Sequence, residues 1–187
     1  VAYSGGVDST FLLKVAYDIL ADNVIAITAI SPTHPKREYS NAVSIVNDIG
    51  VCHYTVKTFE MEDINFTSNP SKRCYYCKKE IFTRIKEEAL KHGIDHVADG
   101  LNFDDIGDYR PGIIAAKELG IMSPLKGMGI TKQDIRILSK QIGLPTWDKP
   151  AFACLATRFP YGYRITEQGL KMVDRAEQFL YDHTGTS

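Results

Sequence analysis

The sequence predicts an α/β fold in which a parallel sheet carries helices on both faces. Three observations predict it. Short β-rich runs alternate with amphipathic helical runs along the chain. Between the first two β-rich runs lies a helical run with Leu12, Val15, Ala16, Ile19 and Leu20 in a stripe at i, i+3, i+4, i+7 and i+8. The glycine turn Gly5-Gly6 lies directly between the first strand and that helix, as in a strand–turn–helix unit.

Taken in order, strands are expected at 1–3, 24–30, 51–58, 96–100 and 121–123. The first helix falls between the first two strands, and further helices are expected at 37–49, 77–92, 111–119, 132–142 and 167–183. Pro111 suits a first helical position, and Thr131 and Thr166 suit N-caps. The stretch 143–165 is rich in Pro, Gly and aromatic residues and does not read as a regular element. Its length suggests function, and it is the expected hinge toward a second region. The division expected is 1–150 for a nucleotide domain and 151–187 for a cysteine segment with the start of a C-terminal region. The chain opens at Val1 without Met and stops just after a helical run, so both ends are expected to be cut relative to the native protein.

The 187 residues, 44% hydrophobic and 24% charged, suit one globular domain with a sizeable core. A formal net charge of -1 gives no overall basic footprint for nucleic acid. No run approaches the roughly 18 apolar residues of a membrane span. No secretory signal precedes the first strand, and the four cysteines fall short of a disulfide scaffold. A reducing, cytoplasmic setting is expected, in which cysteines point to metal or redox chemistry before structural disulfides.

Ser4-Gly5-Gly6-Val7-Asp8-Ser9 occupies the turn into the first helix. There the first backbone N–H groups of the helix are unpaired and face the carboxyl end of the strand. Gly5 and Gly6 let backbone approach a phosphate, and Ser4 and Ser9 add hydroxyl donors. Asp8 repels a bare phosphate, so its useful roles are to hold Mg²⁺ or to cap the helix. Two glycines alone suit an ordinary capped turn equally well.

Cys74-Tyr75-Tyr76-Cys77 stands at the start of a helix, and Cys154 lies in the irregular segment. A lone C-x-x-C fits a redox pair, half of a zinc site completed by His53 or His92, or two thiols of no consequence. Three thiolates also suit an iron–sulfur cluster with one iron left open. Cys52, in a β-like run, reads as a small buried apolar side chain.

The string Ser4–Ser9 resembles the SGGxDS loop of the PP-loop ATP pyrophosphatases, and no Walker lysine follows it. Three further segments narrow the resemblance: residues 69–79, residues 99–112, and residues 149–162, which contain Cys154-Leu155-Ala156-Thr157-Arg158. Together the four resemble the LarE-type sulfur transferases of nickel-pincer cofactor synthesis, from the first residue to about Gly169. The resemblance implies an adenine-nucleotide alpha-hydrolase-like fold that uses ATP and Mg²⁺. It implies adenylylation of a carboxylate of pyridinium-3,5-biscarboxylic acid mononucleotide, release of pyrophosphate, and attack by sulfur to give a thiocarboxylate. It implies ATP contacts at Ser4, Gly5, Gly6, Asp8 and Ser9, and catalysis by Cys154 and Arg158, with Arg158 on the AMP phosphate. Some family members spend the sulfur of one cysteine, and others hold a [4Fe-4S] cluster on three. Cys154 occupies the position shared by both types, and Cys74 and Cys77 match the extra pair. Thr157 is a departure from the family pattern that keeps a hydroxyl. By position, Asp104, Asp105, Asp108 and Arg110 form a loop for substrate, metal or nucleotide; a salt-bridged Arg158 and solvated acidic residues are the plainer alternatives. The implied partner is a small mononucleotide; neither a membrane nor nucleic acid is expected, and a homo-oligomer is compatible with the chain. The competing function is a cluster-dependent PP-loop tRNA thiolase, against which the near-neutral charge counts.

Overall fold

The computed structural model describes residues 1–106 and 111–184. Strands β1 (Ile25–Ile30) and β2 (Cys52–Lys57) pair in parallel, with Ile25 opposite Cys52 and Ile30 opposite Lys57. Helices α1 (Val7–Leu20), α2 (Lys36–Ile49), α3 (Ile64–Thr67), α4 (Arg73–Lys91), α5 (Pro111–Glu118), α6 (Pro124–Gly127), α7 (Lys132–Gln141) and α8 (Glu167–Thr184) surround them. Successive side chains of a strand point to opposite faces, and β1 is buried on both. Ile25 and Ile27 pack with Ile81, Phe82, Ile85 and Ala89 of α4 and Ala116 of α5. Ala26 packs the other way, with Leu13 of α1 and Ala42 and Val46 of α2. The expectation of an α/β fold with helices on both faces is met around this small parallel sheet.

The five-stranded expectation is corrected. Among the described residues only β1 and β2 are full strands, and the other three segments contribute isolated parallel bridges, Ala2 with Ile27 and Ala98 with Met122. They are still joined in a row: Tyr3 N–H donates to Ile27 O at 2.9 Å, Ala2 N–H to Ala98 O at 2.8 Å, and Asp99 N–H to Met122 O at 2.8 Å. Each is cut short by the turn that follows it. The chain bends into the Gly5-Gly6 turn after Tyr3. After Asp99, Gly100 runs so close to α1 that a Cβ there would lie 2.8 Å from Ser9 N. Cys52 is also corrected, because it is exposed rather than buried. It opens β2, whose side chains are mostly exposed or half-buried apart from Val56.

The helices begin close to where the sequence places them. Thr131 caps α7 through a reciprocal box with Asp134, its side chain accepting from Asp134 N–H at 3.2 Å. Thr166 Oγ1 accepts from Gly169 N–H at 3.1 Å at the start of α8. α4 starts at Arg73, so both cysteines of the C-x-x-C fall within its first five residues. The short helices α3 and α6 carry too few residues for a periodic signal. The segment 143–165 is irregular as expected, with one 3-10 turn at Leu155–Arg158. No helix among the described residues is long and apolar enough to cross a membrane.

Two further clusters position the site. Val7, Phe11 and Leu12 of α1 pack with Ile135 of α7, Leu125 and Leu144, which brings the start of α7 to the Gly5-Gly6 turn. Phe66 of α3 packs with Leu155, Ala156, Ile165 and Leu170, against which Cys77 and Cys154 also lie.

Candidate active site

The turn between residue 3 and α1 requires glycine at its first bend. Gly5 adopts φ +73°, and a Cβ on it would fall 2.6 Å from Cβ of Ala42 on α2. The turn is closed by hydroxyls: Ser9 Oγ donates to Gly6 O at 3.2 Å and accepts from Ser4 N–H at 3.2 Å. The two serine hydroxyls lie 3.1 Å apart. The free N–H groups of the first turn of α1 add to these hydroxyls, which makes the turn an anion cradle. It opens on a cavity of about 900 Å³, with Ser4, Gly6, Asp8 and Ser9 at one end and apolar side chains such as Ile30, Phe82 and Leu101 along the walls. That size and mixture suit a nucleotide.

Asp8 is not free in this structure. Its carboxylate accepts from Lys132 Nζ at 2.6 Å and from Asn102 Nδ2 at 3.5 Å. Lys132 is the first residue of α7, where the helix dipole disfavours a cation. A lysine in that place gains from an anionic partner, but nothing in the sequence names Asp8 as that partner. Asp104 accepts from the Lys132 backbone N–H at 2.8 Å, so its visible role is to seat α7. Asp105 accepts from Asn102 N–H at 3.0 Å, is buried, and lines the cavity. Asp108 and Arg110 lie outside the described residues.

The three cysteines are drawn to one region. Cys74 is exposed on the cavity wall, whereas Cys77 and Cys154 sit half-buried against the Phe66–Leu155 cluster. Burial pushes the Cys77 thiol well up, and Glu60, Cys154 and Cys74 push it further, against the opposing charge of Lys78. Burial also raises Cys154, followed by the charge of Cys74, while Arg73 pulls the other way. Among the described residues no three His, Cys, Asp or Glu side chains stand ready as a metal site. The donor set nevertheless suits a cluster in its chemistry: three soft thiols, two from one helix start and a third, Cys154, against the same apolar cluster as Cys77. The two histidines weighed for a zinc site are engaged elsewhere. His53 Nε2 lies 2.9 Å from Thr28 Oγ1, and His92 stacks on Tyr54 with ring centroids 3.8 Å apart.

Arg73 is 6% exposed, donates to Asn69 Oδ1 at 2.6 Å and lies 4.6 Å from the centre of the Tyr161 ring. The Cys154 segment is pinned to the loop after β1 by Leu155 N–H donating to Thr33 O at 2.8 Å. Arg158 pairs with Glu177 of α8 at 2.6 Å and is not among the residues lining the cavity, which is the salt-bridge alternative weighed above. Besides Lys132, two further lysines went unassigned in the sequence. Lys78 lines the cavity from α4, beside His34. Protein packed around His34, with the charge of Lys78, lowers its imidazole to about 4, so it faces the cavity neutral at pH 7. Lys149 reaches back to the turn, its Nζ 3.0 Å from Gly5 O and 2.8 Å from Glu38 Oε2.

The raised Cys154 thiol gives a direct expectation. Its ordinary value is 9.0 and burial moves it upward, so the thiolate fraction at pH 7 falls below that of a free cysteine. Alkylation of metal-free protein by iodoacetamide, followed by mass spectrometry of the Cys154 peptide, should still be accelerating above pH 9. A rate that levels off below pH 9 would contradict the burial.

No protein-family model matches the chain. It is 51% identical over 180 residues to an uncharacterized protein of Synechocystis sp., covering 96% of this chain and 67% of that protein. It is 36% identical over 181 residues to pyridinium-3,5-bisthiocarboxylic acid mononucleotide synthase of Lactiplantibacillus plantarum, covering 96% of this chain and 66% of that enzyme. To an uncharacterized protein of Methanocaldococcus jannaschii it is 31% identical, covering 98% and 69%. The chain thus spans about two thirds of the length of these relatives.

Proposed function

The chain belongs to the LarE-type sulfur transferase family, and from that premise we propose that it is an ATP-dependent enzyme that converts a carboxylate of pyridinium-3,5-biscarboxylic acid mononucleotide into a thiocarboxylate for nickel-pincer cofactor synthesis. The single observation that carries this reading is that the Ser4–Ser9 cradle and Cys74 open on the same cavity. We read the fold as the PP-loop type, with 1–150 as the nucleotide domain and 151–187 as the thiol segment leading into a sulfur-transferase region.

A carboxylate is a poor electrophile because its leaving group would be oxide. In the proposed first step a substrate carboxylate oxygen bonds to the α-phosphorus of ATP, and the α–β bridging bond breaks. Pyrophosphate departs with the bridging electron pair. The N–H groups at the start of α1, with the Ser4 and Ser9 hydroxyls, hold the departing phosphates. Lys132, held on Asp8 at 2.6 Å, is the cation we assign to the charge that develops there. Mg²⁺, for which Asp8 is the carboxylate at hand, would neutralise the phosphates when bound. In the second step a sulfur nucleophile bonds to the acyl carbon, the C–O bond to AMP breaks, and AMP leaves as a phosphate monoester. Cys154 belongs to this second step. For Arg158 to reach the AMP phosphate it must exchange Glu177 for it. Cys74, Cys77 and Cys154 are the residues that would hold a [4Fe-4S] cluster, whose open iron supplies a place for an exogenous sulfur ligand.

The test uses the full-length protein with the dicarboxylate mononucleotide and MgATP. AMP and pyrophosphate are the expected products; ADP and orthophosphate would end the assignment.

A further inference from the structure

Lys149 stands five residues before Cys154, yet its side chain runs to the far end of the site. Its ammonium donates to Gly5 O at 3.0 Å and pairs with Glu38 at 2.8 Å, with both side chains 19% exposed. The backbone of Lys149 is itself held. Arg136 of α7 donates to Trp147 O and to Lys149 O, each at 2.8 Å. One turn earlier on the same helix, Lys132 grips Asp8. The turn is therefore held twice from one assembly, at Asp8 through α7 and at Gly5 through Lys149.

The bond to Gly5 O has a geometric consequence. In a trans peptide the C=O and the following N–H point in opposite directions. A carbonyl drawn toward Lys149 sends the Gly6 N–H to the other side, where it meets Ser4 Oγ at 3.4 Å, a long and weak contact. Ser4 and Gly6 both line the cavity. Gly5, at φ +73°, has backbone freedom that would otherwise let this peptide turn over, and Ala42 fills only the space behind it.

We propose that Lys149 is a positioning residue that fixes the Gly5–Gly6 peptide with its N–H aimed at a nucleotide phosphate. The inference rests on the reading that the cradle binds ATP. Because Glu38 neutralises the ammonium, the effect of Lys149 on the nucleotide is exerted through this peptide rather than through a bare charge. The same side chain joins the cradle to the segment that carries Cys154, so ordering of one is felt by the other.

The experiment is calorimetric titration of full-length protein with α,β-methylene-ATP and Mg²⁺. Lys149→Met should weaken binding about tenfold or more, the scale of one lost charge-assisted hydrogen bond. The loss should persist at about 0.5 M salt, where a long-range field effect is screened. Lys149→Arg should recover most of the affinity, whereas Lys149→Met, which leaves Glu38 without its partner, should lower the thermal midpoint while the protein stays folded at the titration temperature. Alkylation of Cys154 should respond to the analogue in the wild type and lose that response in Lys149→Met. Equal affinity in wild type and Lys149→Met, or a deficit that vanishes at high salt, overturns the inference. If the wild type itself does not bind the analogue, it is the ATP reading that fails. Should Lys149→Met not fold, Glu38→Gln carries the test. It leaves the ammonium on Gly5 O, so affinity is kept or tightened, and a weaker variant counts against the clamp.

Discussion

Replacing Cys154 with alanine should abolish thiocarboxylate formation while pyrophosphate release continues. The two steps use different parts of the site. In the proposed scheme adenylylation uses the Ser4–Ser9 cradle, Asp8 and Lys132, and none of these is among the partners described for Cys154. Cys154 is instead packed with Leu155 and Phe66, and it feels Cys74 and Arg73. The substitution removes a small, half-buried side chain whose loss costs on the order of 1 kcal/mol, well within what a folded domain tolerates. Product analysis by mass spectrometry alongside a pyrophosphate assay separates the steps. Thiolated product at the wild-type rate would remove Cys154 from the mechanism. Loss of pyrophosphate together with product would mean that the thiol segment also builds the nucleotide site.

Replacing Cys74 and Cys77 together with alanine should have an equally large effect, of a different kind. With a cluster on three thiols, anaerobically prepared protein should be coloured and hold about four irons per chain. The double variant should lose both iron and multiple turnover with added sulfide, and the mass of the Cys154 peptide in the wild type should be unchanged after turnover. A double variant that keeps its activity, with Cys154 ending as dehydroalanine, would replace the cluster by sacrificial sulfur. The burial of Cys77 and Cys154 makes the first outcome physically coherent. Thiols pushed up by burial are poor thiolates alone, and a bound cationic metal core reverses that penalty.

The helical half of the fold was legible because its signals are local. Thr131 with Asp134, Thr166 before α8 and Pro111 at the head of α5 all act within a turn or two. The stripe on α1 placed the helix but not its packed face: of its members only Leu12 is buried, beside Val7, Phe11 and Leu13, while Ile19 and Leu20 are exposed. The strands were less so. Segments 1–3, 96–100 and 121–123 have the composition of strands, but they are one or two paired residues long, since turns at Ser4 and Gly100 cut them off. Cys52 was misread because composition cannot tell that β2 leaves most of its side chains in contact with solvent. In the site, the cradle and the C-x-x-C were visible as strings. The partners of those strings were not, because Lys132 lies 124 residues from Asp8 and Lys149 lies 144 from Gly5, and only folding brings them together.

The Asp8–Lys132 pair also bears on the pace of the catalytic cycle. An empty cradle that supplies its own counter-ion is already electrically satisfied, so an arriving nucleotide must compete with a carboxylate for that ammonium. This weakens capture of the nucleotide. In the proposed cycle the competition runs the other way after cleavage: Asp8 reclaiming the lysine would favour departure of pyrophosphate. A site organised in this manner trades tight capture for quick clearance.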